Sequence, residues 1–240
     1  MPVPSRILVT RPQPSAAATA ARLEALGHEA IVLPMMEAVH TPQAALDVLA
    51  LPHSAIAVTS AEAVRVLGAI GDRLTPYLRT PVFCVGAATA DAARQSGFRS
   101  VITGPGTGSG LAHLIAETST GVGQGLVYLA GLPRTPAFEA ALRDAGVACR
   151  VAEVYRMSPI AHAPGAIEDL FELRKPDTVL FYSHETARHF FDLVAPEKIA
   201  EFQNIRLLCL SDHVATAVPQ GIGKVAVAAE PNEASLFALL

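Results

Sequence analysis

Short apolar runs, each about the length of one strand, alternate along the chain with stretches whose apolar residues recur every three or four positions. ILVT (7–10) leads into a helical pattern near 15–26, and Gly27 lies where a helix C-cap glycine belongs. EAIVLP (29–34), IAVTS (56–60), VFCVG (82–86) and SVITG (100–104) follow the same grammar. So do LVYLAG (126–131), ACRVAEVY (148–155), TVLFYS (178–183), RLLCLS (206–211) and KVAVAA (224–229). Strands this apolar, separated by helices, are buried on both faces, as the strands of parallel sheets are. The pattern predicts an α/β fold.

The pattern also repeats. ILVTRPQPSAAATAARLEALGHEAIVLP resembles LVYLAGLPRTPAFEAALRDAGVACRVAEVY, and IAVTSAEAV aligns with VLFYSHETA. VFCVGAATADAARQSGF aligns with LLCLSDHVATAVPQGI, and VITGPGTGSGLAHLI with VAVAAEPNEASLFALL. The pairs keep their order and lie about 120 residues apart, a spacing that suits two α/β domains of ordinary size. Two similar parallel-sheet domains from an internal duplication are therefore expected. The repeat alone allows one domain per repeat as readily as domains that mix the two. LPMMEAVH (33–40) and AEVYRMSP (152–159) hold matching places and run into Pro-containing sequence, which makes them candidates for the interdomain crossings.

Composition narrows the partners. Hydrophobic residues make up 51% of the chain and charged residues 17%, enough apolar material for a large core. No run approaches the ~18 apolar residues of a membrane span, and the N-terminal apolar run is too short for a signal peptide. A soluble, cytoplasmic protein with no membrane partner is expected. The net charge of −4 and the lack of Trp argue against a nucleic-acid partner, which needs a basic face or a stacking platform. Cys84, Cys149 and Cys209 each lie in or beside an apolar run, so they read as buried free thiols.

In parallel sheets ligands bind beyond the carboxyl ends of the strands, where helix N-termini present free N–H groups. Thr59, Ser60, Gly86 to Thr89, Gly131 to Thr135, Ser183 and Ser211 fall at such ends. Each hydroxyl there can cap the following helix, bond a carboxylate, or do both. Arg11 and Arg134 stand at roughly matching places in the repeat and can be solvated or carboxylate-binding. Tyr155, on a crossing strand, is a packing residue or a proton donor. GPGTGSG (104–110) lacks the GK[ST] ending of a phosphate loop and reads as a flexible βα loop. HETARH (184–189) spaces its histidines by five where a zinc pair on one helix wants four, so no metal is expected. No GxSxG elbow, nucleophile or base pair stands out. An enzyme with such a sequence needs an intrinsically reactive substrate.

Taken in order, LVTRP, VTSAEAV, VFCVGAATADAARQSGF, the VY of AEVYRM, FYSHETA and the terminal AEPNEASLFALL resemble the uroporphyrinogen-III synthase family over essentially the whole chain. The resemblance implies two α/β domains joined by a two-stranded antiparallel linker. Residues 1–34 with 160–240 would form the first domain and 41–150 the second, with 35–40 and 151–159 as the linker strands. It implies a lyase of heme biosynthesis that closes hydroxymethylbilane into uroporphyrinogen III, inverting ring D and releasing water, without a cofactor. A monomer is expected, receiving its substrate by transient hand-over from hydroxymethylbilane synthase. By position, Tyr155 would assist departure of the hydroxyl. Thr89, Ser60 and Ser183 would hydrogen-bond substrate carboxylates, and Arg134 would pair with another. Thr59, Ser211 and Arg11 join the substrate-binding set from their places at strand ends. Where the family often has a threonine in a Gly-Pro-x-Thr stretch, this chain has Val214, with Ser211 nearby. A non-catalytic tetrapyrrole- or anion-sensing module of the same fold is the alternative.

Overall fold

The structure, a computed structural model, describes residues 4–118 and 125–240. The first three residues of the expected first domain, and 119–124 of the second, lie outside the described residues. The elements run β1 (Arg6–Val9), α1 (Ser15–Ala25), β2 (Glu29–Val32), β3 (Met36–His40), α2 (Pro42–Leu49), β4 (Ala55–Val58), α3 (Ala61–Ala69), β5 (Val82–Cys84) and α4 (Ala87–Gln95). They continue β6 (Val101–Thr103), α5 (Gly108–Thr118), β7 (Leu126–Leu132), α6 (Ala137–Asp144), β8 (Cys149–Pro159), α7 (Ala166–Arg174) and β9 (Thr178–Phe181). The last are α8 (His184–Asp192), β10 (Arg206–Cys209), α9 (Asp212–Ala215), β11 (Lys224–Val227) and α10 (Glu233–Phe237). Every strand expected from an apolar run is present, shortened where its last residues turn into the next helix.

The chain divides into two compact units, Met1–Glu37 with Ser158–Leu240, and Ala38–Met157. The first unit holds a parallel sheet in the order β11-β10-β9-β1-β2. The second holds the sheet β3-β8-β7-β4-β5-β6, parallel from β8 to β6. β3 is the edge neighbour of β8. Thr41 N–H donates to the Val154 carbonyl and Ile160 N–H to that of Met35, so the two segments run in opposite directions.

The two strand orders correspond, and so do their registers. Leu8 stands opposite Val179 and Ile31, while Val127 stands opposite Ile56 and Arg150. Val179 pairs with Leu207 as Ile56 pairs with Val82, and Leu207 pairs with Val225 as Val82 pairs with Val101. These are the residues that the sequence repeat aligns. Each unit therefore takes two neighbouring strands from one repeat (β1 and β2, or β7 and β8) and three from the other (β9 to β11, or β4 to β6), and β3, from the repeat of β4 to β6, adds the edge of the second sheet. One unit per repeat, which the sequence left open, is not what the chain builds.

Alternation along the strands sends side chains to both faces of each sheet. In the second unit Ile56, Val58, Val82, Val127 and Leu129 pack with Leu49, Val64 and Leu67. Ala57, Phe83, Tyr128 and Ala130 pack on the other face with Leu111, Ile115, Phe138 and Leu142. In the first unit Ile7, Val9, Leu180 and Leu208 meet Leu23 and Leu236. On the same unit's other face, Phe181 packs edge-on against Phe190 at 5.4 Å between ring centres, with Phe191 and Phe202 beside them.

Candidate functional site

Among the described residues, five helices start on a polar side chain that folds back onto their own first turn. Ser60 accepts from Glu62 N–H, Thr107 from Gly110 N–H, Ser183 from Thr186 N–H, Ser211 from Val214 N–H and Asn232 from Ser235 N–H. Both serine turns of the repeat are thus N-caps, the local use that the sequence allowed. They differ in what else they touch.

At the carboxyl ends of β4 and β7 in the second unit lies a cavity of about 290 Å³. Thr59, Ser60, Arg134 and Tyr155, four of the site residues expected from sequence, line it together. Tyr128, Gly131 and Phe138 complete much of its wall; Gly131 opens the 131–135 strand end expected to meet a ligand, whereas Tyr128 and Phe138 were not singled out. Tyr128 reads in sequence as one more apolar strand residue, and its ring is indeed buried against Phe138, 4.7 Å away and edge-on. Its hydroxyl lies 2.8 Å from Thr59 Oγ1.

A β-bulge aims Tyr155. Ala130 pairs with Glu153 and Gly131 with Tyr155, which leaves Val154 as the extra residue on β8. Strict alternation would send Val154 and Tyr155 to opposite faces; the bulge lets both pack against the same core. The phenol then crosses the backbone of Gly131 so closely that a Cβ there would overlap its ring. Burial lifts the Tyr155 phenol above its ordinary value, opposed by the Ser60 hydroxyl and aided by the Glu62 carboxylate. It is protonated at neutral pH. Beyond it, Glu62 is held by His40 at 2.6 Å and by Arg65.

Arg134 is already bound to carboxylates. Its Nε donates to Glu139 at 2.7 Å and its Nη1 to Glu153 at 3.0 Å, which fixes the guanidinium at the cavity rim. Those bonds, the one to Glu139 foremost, raise its pKa further. The glycine-rich stretch after β6 forms a βα loop over 104–107 and opens α5 at Gly108, where a Cβ would lie only 3.1 Å from Phe138.

The remaining expected residues lie elsewhere. Thr89 belongs to the second unit, buried in the first turn of α4, and does not line this cavity. In the first unit Arg11 donates to Glu233 at 3.1 Å and to Thr19 at 3.2 Å, and stacks over the Tyr182 ring. Ser183 is exposed and donates its proton to Thr186 Oγ1 at 2.8 Å. Val214 is buried in the core at α9, beneath the Ser211 cap. Of the HETARH histidines, His184 stacks on His213 while His189 meets the Ile160 carbonyl, so they point to different partners. Among the described residues no group of three acidic, histidine or cysteine side chains is placed to hold a metal ion.

Burial pushes the Cys84 thiol up to about 11 and those of Cys149 and Cys209 to about 12, which rules out a ready thiolate nucleophile at neutral pH. What the cavity offers is hydroxyls, one guanidinium and a protonated phenol. Such groups orient and protonate a ligand; none is poised for covalent attack.

The chain is thus a parallel α/β protein of two units, with a hydroxyl-lined cavity at the strand ends of one of them. The family model described as uroporphyrinogen-III synthase HemD matches residues 17–238, and the chain belongs to that family. Among solved structures it is similar to the uroporphyrinogen-III synthetase of Helicobacter pylori, at 16% identity and a TM-score of 0.67, over 99% of this chain and 98% of that one. It is also similar to a mutant uroporphyrinogen III synthase of the extremely thermophilic bacterium Thermus thermophilus, at 20% identity and a TM-score of 0.55, over 98% and 96%. No curated protein matches it by sequence. No described helix is long and apolar enough to cross a membrane.

Proposed function

We propose that this protein is a uroporphyrinogen-III synthase: a cyclising lyase that converts hydroxymethylbilane to uroporphyrinogen III with inversion of ring D. The observation that carries the reading is the protonated Tyr155 phenol, aimed by its bulge into a cavity of hydroxyl groups, in a chain of this family.

The substrate loses its hydroxyl readily. Tyr155 donates a proton as that hydroxyl leaves as water, and the pair left is a Tyr155 phenolate and an electrophilic azafulvenium cation that keeps its pyrrole N–H. The substituted α-carbon of ring D then bonds to the exposed methylene, giving a spiro intermediate. Its old bond to the neighbouring bridge breaks, and the free α-carbon takes that bridge and gives up its hydrogen. The proton spent on the leaving hydroxyl is thereby returned, and the balance is substrate to product plus water. Orientation and electrostatics suffice for such a step, with no strong nucleophile in the wall.

Ser60 and Thr59 supply hydroxyls to the bound chain, and Arg134 pairs with a carboxylate at the rim. Thr89, Ser183, Ser211 and Arg11 complete the proposed set of carboxylate contacts, Ser183 by giving up its bond to Thr186 and Arg11 by sharing itself with Glu233. The two units act as the two domains, and the protein works as a cytoplasmic monomer that receives its unstable substrate from hydroxymethylbilane synthase. Purified protein added to freshly generated hydroxymethylbilane should speed its consumption, and treatment with a chelator should not slow it. Consumption at the protein-free rate would contradict the proposal.

A further inference from the structure

Thr59 and Ser60 are consecutive at the end of β4, and each meets a tyrosine from a different neighbouring strand. Ser60 faces Tyr155 of β8. Thr59 Oγ1 lies 2.8 Å from the hydroxyl of Tyr128 on β7. The two tyrosines are placed differently. Tyr155 is half-buried beside the cavity, whereas Tyr128 is only 2% exposed, its ring clamped edge-on by Phe138. Tyr128 therefore has no room to swing into a ligand. It is a fixed point to which the Thr59 hydroxyl is tied, and that tie selects one Thr59 rotamer from those a half-buried threonine can adopt.

We propose that Tyr128 is a positioning residue for the ring-inverting closure: it locks the Thr59 hydroxyl beside that of Ser60, so that the pair holds ring D with its substituted carbon, not its free one, against the reactive methylene. The inference rests on the function proposed above. Both closures start from the same activated substrate and differ only in which carbon is presented. The choice is therefore a matter of orientation. A wall hydroxyl freed to rotate costs selectivity more than it costs rate. Tyr128 itself exchanges no proton with the substrate.

The test compares wild type, Tyr128→Phe, Thr59→Val and the double variant. Each is supplied with hydroxymethylbilane, and the products are oxidised, separated as type I and type III porphyrins, and corrected for protein-free closure. Either single change should raise the type I share about fivefold, with a smaller change in kcat. The double variant should be no worse than either single one, because Tyr128 acts through Thr59. Thr59→Ser, which keeps the hydroxyl, should retain most of the selectivity. A wild-type isomer ratio in Tyr128→Phe overturns the inference, whether or not its melting temperature falls. Additive effects in the double variant also overturn it, since Tyr128 would then act independently of Thr59. Should Tyr128→Phe fail to fold, Thr59→Val carries the same test, and an unchanged ratio there is equally fatal. A wild type that yields no type III removes the proposed function itself, an outcome distinct from a selective wild type with an equally selective Tyr128→Phe.

Discussion

Tyr155 lies across the backbone of Gly131, its partner in the β7–β8 ladder, and residue 131 has no room for a Cβ beneath the phenol. The bulge that leaves Val154 unpaired turns the ring to that side, and the missing side chain lets it settle there. The placement of this phenol is thus written in the backbone of two strands, not in a hydrogen-bond network alone.

Gly131→Ala should therefore displace the phenol. A methyl group forced into this contact costs about 1–3 kcal/mol of stability. Turnover should fall by roughly 10²-fold, because the proposed donor moves by the order of an ångström. Denaturant melts and steady-state kinetics on the same preparation check both.

Tyr155→Phe removes the proton and keeps the ring. Turnover should drop about 10²-fold or more with little change in melting temperature. Burial raises the phenol above its ordinary value of 10.0, so it stays protonated through neutral and mildly alkaline pH. An alkaline limb caused by its ionisation should thus appear only above that value. A limb near pH 8 that survives in Tyr155→Phe would assign it to another group.

The two serine turns should separate under the same mutation. Ser60→Ala and Ser183→Ala each remove an N-cap acceptor, at a cost of about 1 kcal/mol. Ser60→Ala should in addition lower turnover, since its hydroxyl faces Tyr155 in the cavity wall. Ser183→Ala should act mainly on KM. Parallel melts and kinetics distinguish the two.

Glu233 closes the first unit. Burial would raise its carboxyl, but bonds from Thr19 and Tyr182 and the charges of Arg11 and Arg22 outweigh it and lower the pKa. A lowered folded value stabilises the protein above the ordinary 4.5 and loses that contribution as pH falls through the lower value. Glu233→Gln should cost about 1–3 kcal/mol at neutral pH. Its stability curve should converge on wild type in acid. A gap that persists unchanged into strong acid would point to packing instead.

Much of the fold was legible because its signals are local. An apolar run followed by Thr-Ser or Tyr-Ser and helix formers marks both the strand end and the cap, as at Ser60 and Ser183. The repeat even aligned the residues that occupy equivalent registers, Leu8 with Val127 and Ile56 with Val179. The way the repeats share out their strands was not legible, since it is decided by which sheet edge each strand finds. The cavity was half visible. Thr59, Ser60, Arg134 and Tyr155 announce themselves at strand ends, whereas Tyr128 sits within a run that alternation assigns to the core, and its hydroxyl bonds Thr59. The bulge at Ala130 and Gly131 leaves no mark in the hydrophobic pattern. Arg11 looked free at its strand end because its partner Glu233 comes from the far end of the chain.

The most direct test of the account is the identity of the product. Hydroxymethylbilane carrying ¹³C in its hydroxymethyl carbon, supplied to the purified protein, is followed by NMR and by separation of the oxidised isomers. Predominantly type III porphyrin, formed faster than in buffer and with the labelled bridge beside an inverted ring D, is the predicted result. Type I porphyrin alone, at the protein-free rate, would contradict the claim that this cavity directs the inversion.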